Sequence, residues 1–211
     1  ALWQHRVLGS ADDPTSLVGG QIEYWTTQLA GIPDVVELPA DRPRPAVASQ
    51  RGARVDFAVP TELATAVTEF AGARGVSEFM VAHAALAVLL ARLAATDDVT
   101  IGTPIAGRGQ RVLDPLVGMF VNTLVLRTAV SPGASFTEVL DDVRATDLAA
   151  YDNADVPFES VVEHVDPVRS QAFAPLTQVW LTFDRSVVAE LASGDLAAGA
   201  LHGLDVQVLE P

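Results

Sequence analysis

The sequence predicts an α/β fold, specifically a layered α+β sandwich. Apolar residues recur at helical spacing in some segments and alternate at strand spacing in others, and the two kinds of segment are interleaved along the chain. The chain has 211 residues, of which 49% are hydrophobic and 19% charged. That length and composition suffice to bury a core of ordinary size, and we find no internal repeat.

The first predicted element is an amphipathic helix from Ser16 to Leu29, which Gly31 and Pro33 terminate. An extended connector follows, because the prolines of residues 39–45 exclude their predecessors from the helical region of backbone space. We therefore divide the chain into residues 1–45, a helix and proline-rich connector between two lobes, and residues 46–211, the core of one lobe.

The next segments predict one strand and two helices. Val55, Phe57 and Val59 alternate as in a half-buried strand, and Pro60 opens a helix. Ser77 is a good N-cap for the following helix, which we expect to be the most buried in the protein. Its predicted core face comprises Phe79, Ala82, Leu86, Leu89, Leu90 and Leu93.

Predicted strands and helices continue to alternate in the second half of the chain. Strands are predicted from Val99 to Ile105, ending at a turn around Gly107, and from Phe120 to Val130. Ser135 and Glu138 then form the pattern of a helix-starting capping box.

The segments that follow are a short helix, a third strand and a weakly patterned stretch. The short helix begins at Val156, and residues 177–183 alternate as a strand. Residues 189–200 have a weak pattern.

Charge and composition exclude several classes of function. Thirteen basic and 27 acidic residues give a formal charge of −14, so phosphate neutralisation cannot supply binding energy over the whole surface. We expect neither a nucleic-acid nor a membrane partner. Because every basic residue is arginine, neither a Schiff-base lysine nor a phosphate-loop lysine exists. The absence of cysteine removes thiol chemistry and suits a cytoplasmic protein.

No complete catalytic constellation or metal site is apparent. The four histidines are too far apart in sequence for a two-histidine metal site on one helix, and His83 is interpreted as a core histidine, with general-base work as the alternative. Residues 102–109 superficially resemble a phosphate loop, but Pro104 removes a donor and no lysine follows. The adjacent pairs 97–98 and 141–142 are interpreted as solvated carboxylates.

Four local patterns, in their order and spacing, resemble the condensation domains of nonribosomal peptide synthetases from Ala1 to about Asp184. They are Y-W-x-x-Q-L-x-G with E-L-P-x-D-R-P-R-P (24–31 and 37–45), V-G-M-F-V-N-T with Arg127 (117–123), N-x-D-V-P-F-E (153–159), and Arg169-Ser170 with Pro175-Leu176.

The resemblance implies one lobe of a chloramphenicol acetyltransferase-like fold, with helices packed on a mixed sheet. In that family two lobes form a V, and an amine attacks an acyl thioester in the tunnel between them. The family's H-H-x-x-x-D-G motif is absent here, so residues 46–211 correspond to the C-terminal condensation subdomain, incomplete at its C-terminus. The resemblance implies no catalytic residue in this segment, and the chain begins as if cut from a longer one.

The resemblance also implies site residues. Arg108 is expected to pair with the aspartate of the upstream motif, the alternative being a surface arginine, and Asn122 is expected to support the active site, the alternative being that it satisfies turn backbone. The residues expected to line the tunnel are Gly118, Phe120, Val121 and Thr123. The residues of the later structural motif are Asp155, Pro157, Phe158 and Glu159.

The implied partners are the N-terminal lobe, donor and acceptor carrier proteins and neighbouring synthetase domains. No cofactor or metal is expected to bind directly, and the phosphopantetheine arm of a carrier presents the tethered substrate. Two alternatives remain: a noncatalytic relative that recruits a tailoring enzyme or carrier protein, and an epimerisation or heterocyclisation relative.

Overall fold

The computed structural model describes residues 6–11, 13–107, 113 and 115–183. Its helices and strands alternate much as the sequence predicts. In chain order they are α1 (Leu17–Gln28), α2 (Thr61–Arg74), α3 (Glu78–Ala94), β1 (Asp98–Ala106), β2 (Val121–Ala129), α4 (Phe136–Asp152) and α5 (Phe158–Val165).

Side-chain caps start three of the helices, as predicted for two of them. The Ser77 hydroxyl accepts a hydrogen bond from the Met80 amide at the start of α3. Ser135 and Glu138 form a reciprocal capping box at the start of α4, and the Ser16 hydroxyl caps α1. Such caps satisfy amides that have no partner within the helix, and each stabilises its helix by about 1 kcal/mol.

The sheet joins β1 and β2 in antiparallel register, from Asp98 opposite Ala129 to Ala106 opposite Val121. Residues 177–183 were predicted as a third strand, but the structure forms only a parallel bridge between Gly102 and Trp180. Two backbone hydrogen bonds form the bridge: the Gly102 amide donates to the Val179 carbonyl at 2.8 Å, and the Leu181 amide donates to the Gly102 carbonyl at 2.9 Å. The predicted third strand is therefore too long. The sheet nevertheless combines antiparallel and parallel pairing, as a mixed sheet does.

Gly102 is required at the bridge because the neighbouring chain approaches so closely. A β-carbon there would lie 2.9 Å from Cγ2 of Thr177 and 3.0 Å from the Trp180 ring. The Trp180 ring therefore lies over the sheet face to which a side chain at position 102 would point.

The core has three buried clusters. The first joins α1 to β2 and α5 and includes Trp25 and Leu126. The second joins α2, α3 and α4, and the third packs α3 on β1. Helices thus cover the strand pair in layers, and α1 packs against the elements that follow the connector. The division at residue 45 remains a prediction.

The strand predicted at residues 55–59 is absent. Val55 and Phe57 are each 86% exposed, and residues 51–60 form no helix or strand. Alternation alone cannot make a strand, because a strand needs a neighbour for its backbone hydrogen bonds, and no described residue pairs with this segment.

The core face of α3 also differs from the prediction. Of the predicted face only Leu90 is buried, while Leu89 and Leu93 are about half exposed. The buried residues of α3 are Met80, Val81, His83, Ala84, Ala87, Leu90 and Ala91. Because α3 is apolar on nearly every side, periodicity does not select a face, and the small alanines allow its neighbours to approach closely.

In the described part of the chain, no single helix combines the length and the apolar character that crossing a membrane requires. Taken together, α2 and α3 meet that length and composition test, but they bend by 105° at the break between them.

Candidate functional site

The candidate site is the start of β2, where the predicted tunnel-lining residues lie. Gly118 and Val121 are exposed, and Phe120 and Thr123 are partly buried. The Gly107 amide donates to the Phe120 carbonyl at 2.8 Å, and a β-carbon at Gly107 would clash with that oxygen. The end of β1 and the start of β2 are therefore held tightly together.

The strand register places part of this segment on one sheet face. Side chains alternate along a strand, so Val121 and Thr123 share a face, and Thr123 lies opposite Pro104 in β1. The Trp180 ring lies on the same face over Gly102, and its side chain is half exposed. At this end of the strands the face presents uncharged side chains and the Thr123 hydroxyl, but the tunnel-lining role remains a prediction.

The Asn122 side chain points away from that face and is fully hydrogen-bonded to backbone. Its Nδ2 donates to the carbonyls of Ala154 and Val156 at 3.0 and 2.8 Å. Its Oδ1 accepts from the amides of Phe158 and Thr123 at 3.0 and 2.9 Å. These contacts favour the alternative in which Asn122 satisfies backbone groups, and its support of an active site remains a prediction.

The later motif fastens α5 to α1 and β2. The Gln21 amide nitrogen donates to the Asp155 carboxylate at 3.0 Å, and the Asp155 amide donates back to the Gln21 side chain at 3.1 Å. Pro157 occupies the N-cap position of α5, followed by Phe158 and by Glu159 in the first turn. An acidic side chain there interacts favourably with the helix dipole. These contacts are compatible with a structural role, and the assignment of Asp155, Pro157, Phe158 and Glu159 to a structural motif remains a prediction.

Arg108, the proposed partner of the upstream aspartate, lies outside the described residues. Both interpretations of Arg108 therefore remain predictions.

Arg127 forms an ion pair that the sequence analysis missed. Its Nη2 and Nε atoms donate to the Asp98 carboxylate at 2.7 and 2.9 Å, and Nη1 donates to the carbonyls of Gln28 and Ala30, at 3.0 and 2.9 Å. The Asp98 hydrogen bond chiefly raises the pKa of Arg127, while partial burial opposes the rise. Interpreting Asp98 as simply solvated was wrong, because strand register, not sequence adjacency, sets its neighbours.

His83 lies in a buried polar network, which confirms its interpretation as a core histidine. Its Nδ1 lies 2.9 Å from Asp147 Oδ1, and its Nε2 lies 3.1 Å from the Thr128 hydroxyl. His83 and Asp147 are fully buried and Thr128 nearly so. The order of groups resembles a nucleophilic triad, but neither ring nor carboxylate is open to solvent. The pKa of nearby Tyr151 is raised, chiefly by burial and to a smaller extent by the negative charge of Asp147.

No group of three or more potential metal ligands occurs among residues 6–11, 13–107, 113 and 115–183. The candidate site therefore consists of the uncharged end of one sheet face, an asparagine whose side chain is hydrogen-bonded to backbone groups, and a motif that connects α5 to α1 and β2.

Comparison with known proteins identifies relatives along most of the chain. A family model described as "Condensation domain" matches residues 3–200. The dimodular nonribosomal peptide synthase of Bacillus subtilis is 49% identical over 93% of this chain, which spans 8% of that protein. The isonitrile lipopeptide synthase of Mycobacterium tuberculosis is 46% identical, with the same two coverages.

Solved structures agree with the sequence matches. The X-domain from teicoplanin biosynthesis is 32% identical, with a TM-score of 0.79 over 85% of this chain and 40% of its own. The first condensation domain of the CDA synthetase is 22% identical with a TM-score of 0.64 over 89% of this chain and 38% of its own, which supports the fold alone. The predicted α/β, chloramphenicol acetyltransferase-like fold and the predicted family are thereby confirmed. The chain belongs to the condensation-domain family of nonribosomal peptide synthetases.

Proposed function

We propose that this chain is the C-terminal lobe of a condensation domain that joins two carrier-tethered acyl or aminoacyl groups by an amide bond. The observation that carries the proposal is the family match over residues 3–200. Because the chain spans less than a tenth of the two synthetases described above, the reaction belongs to a larger protein. A cytoplasmic location remains a prediction.

In the proposed reaction, the amine of the acceptor attacks the thioester carbonyl of the donor. The carbon–nitrogen bond forms, the carbon–sulfur bond breaks, and the amine proton ends on the released pantetheine thiol. Proton handling is expected to fall to the H-H-x-x-x-D-G motif of the N-terminal lobe. This lobe would supply a wall of the tunnel through Val121 and Thr123, and position each thioester without reacting with it.

The structural contacts suggest how the wall is kept in place. Asn122 ties the start of β2 to the turn before α5, and Asp155 ties that turn to Gln21 of α1. Arg127 ties the other end of β2 to the carbonyl of Gln28, the last residue of α1. A wall held at both ends keeps a near-attack geometry without rearranging at each turnover.

A second candidate function is noncatalytic recruitment of a tailoring enzyme. It is favoured by the likeness to the X-domain from teicoplanin biosynthesis, whose structure was also solved in a complex with OxyB. The X-domain in that complex is 32% identical to this chain, with a TM-score of 0.80. The epimerisation or heterocyclisation alternative has weaker support. The EpoB cyclization-docking bidomain is only 21% identical and indicates fold alone.

A single-turnover assay on the complete condensation domain separates the two candidates. Donor and acceptor carriers are loaded with defined aminoacyl groups, and the product on the acceptor is identified by intact-protein mass spectrometry. Amide formation above the no-enzyme background supports the catalytic proposal. No product from a folded domain that binds a tailoring enzyme would support recruitment instead.

A further inference from the structure

The connector between α1 and α2 has a charge opposite to that of the whole protein. Residues 42–54 contain four of the 13 arginines and none of the 27 acidic residues. The chain as a whole carries −14. A local excess of positive charge on an acidic protein marks a surface where an anionic partner would be attracted despite the overall repulsion.

The structure leaves most of these charges facing solvent. Arg42, Arg44 and Arg51 are exposed, and none of them forms an ion pair with a described residue. Arg54 differs, because its Nε lies 2.6 Å from an Asp56 carboxylate oxygen. Exposed guanidinium groups without a carboxylate partner are free to form bidentate bonds with a carboxylate or phosphate of another molecule.

A backbone contact joins the connector to a segment that carries a further arginine. The Ala48 amide donates to the Gln171 carbonyl at 2.9 Å, which fixes the middle of the connector beside a residue two positions from Arg169. Arg169 is exposed as well. We define the basic strip as Arg42, Arg44, Arg51 and Arg169, three connector residues and one that is distant in sequence.

The connector is also partly preorganised. Pro43 and Pro45 alternate with Arg42 and Arg44, and proline restricts both its own backbone and that of the preceding residue. Less conformational entropy is therefore lost when these side chains bind a partner. From residue 42 to residue 51 an extended chain spans no more than ~30 Å, the scale of one helix face on a small domain.

We propose that the basic strip binds the acidic surface of a carrier protein that delivers a tethered substrate. The inference rests on the proposed function, because only there is a carrier a partner. A long polyanion such as nucleic acid would extend beyond the strip over acidic surface, whereas a compact acidic domain would not. Because the strip is separate from the candidate site, it acts on encounter and docking, and not on the chemical step.

The test uses the complete condensation domain and compares the same amide-forming reaction with three thioester substrates of decreasing size. The substrates are the same aminoacyl group on the carrier protein, on free phosphopantetheine and on pantetheine without the phosphate. The variant is R42Q/R44Q/R51Q, which leaves the Arg54–Asp56 pair intact. The matched control is R6Q/R92Q/R144Q, which removes three exposed arginines from elsewhere in the sequence.

We expect the strip variant to raise KM for the carrier-bound substrate on the order of 10-fold at low salt, with kcat unchanged. The rise should disappear at about 0.5 M salt, where charges are screened beyond a few Å. KM for both small thioesters and the melting temperature should remain those of the unaltered domain.

Other outcomes overturn the inference. An equal KM rise in the control variant would indicate a general charge effect, and an equal rise with free phosphopantetheine would indicate a phosphate contact only. If the unaltered domain forms no amide, the proposed function fails. Anisotropy of labelled carrier then still tests the strip, and unchanged carrier affinity in the variant, or tighter binding of a short single-stranded DNA, would contradict it.

Discussion

The buried pair of His83 and Asp147 gives the sharpest stability prediction. Both side chains are fully buried, and among the described residues Asp147 Oδ2 has no hydrogen-bond partner. The carboxylate therefore depends on His83 for its compensation. Replacing His83 by leucine leaves that carboxylate buried beside an apolar group, at a cost of about 3–5 kcal/mol.

The loss should be largely reversed by removing the carboxylate as well. In H83L/D147A the added leucine volume replaces much of the space that the aspartate leaves, so the double variant avoids both the unpaired charge and a large cavity. The Thr128 hydroxyl then lacks its His83 partner, which leaves a residual cost of about 1 kcal/mol. We expect a coupling energy of at least ~2 kcal/mol between the two positions.

The measurement is thermal unfolding of the complete condensation domain for H83L, D147A and the double variant. A loss of about 3–5 kcal/mol corresponds to a fall in Tm of roughly 3–10 °C, at about 1–2 °C per kcal/mol, because the unfolding entropy grows with the size of the complete domain. Single-variant effects that add to within about 0.5 kcal/mol would refute the coupling. A stable double variant whose amide formation falls about 100-fold would show instead that His83 acts as a general base.

Four further predictions concern the other contacts. Arg127→Ala should lower the unfolding free energy by about 1–3 kcal/mol in urea titration, because two carbonyls and the Asp98 carboxylate lose their donor, and Arg127→Lys should recover less than half. Asn122→Ala should cost about 1–3 kcal/mol, since backbone groups of the turn before α5 lose their partners; a reduced rate with unchanged Tm would instead support its active-site role. Gly102→Ala should lower Tm through the clash with Trp180, and Trp180→Ala should partly reverse that loss. The isolated 211 residues should form no amide with loaded carriers, and product above background would contradict the assignment of proton handling to the other lobe.

Local signals account for what the sequence predicted well. The caps at Ser77 and Ser135 depend on residues three positions apart, so they can be predicted without knowing the tertiary structure. The two strands could be predicted because alternating side chains and flanking turn residues are also local signals. The resemblance in four ordered motifs then identified the family, which composition and periodicity alone could not do.

The errors occur where a contact distant in sequence decides the structure. Residues 55–59 alternate, but no described strand pairs with them. Asp98 was taken as solvated because its partner Arg127 is 29 residues away and reaches it only through the strand register. The core face of α3 was misassigned because an apolar helix contains no periodic signal to select one side.

The Asn122 contacts explain how a motif that we propose to line a tunnel can include a residue whose own side chain faces the protein interior. An asparagine amide has two donors and a carbonyl with two acceptor sites, and Asn122 uses four hydrogen bonds on backbone groups of residues 123, 154, 156 and 158. Aspartate would lack the donors, and leucine would leave the partner groups unsatisfied inside the protein. Because β2 alternates, turning Asn122 inward places Val121 and Thr123 on the opposite face. The asparagine can thus determine which side chains face the proposed tunnel without entering it, which makes loss of stability the expected first effect of its removal.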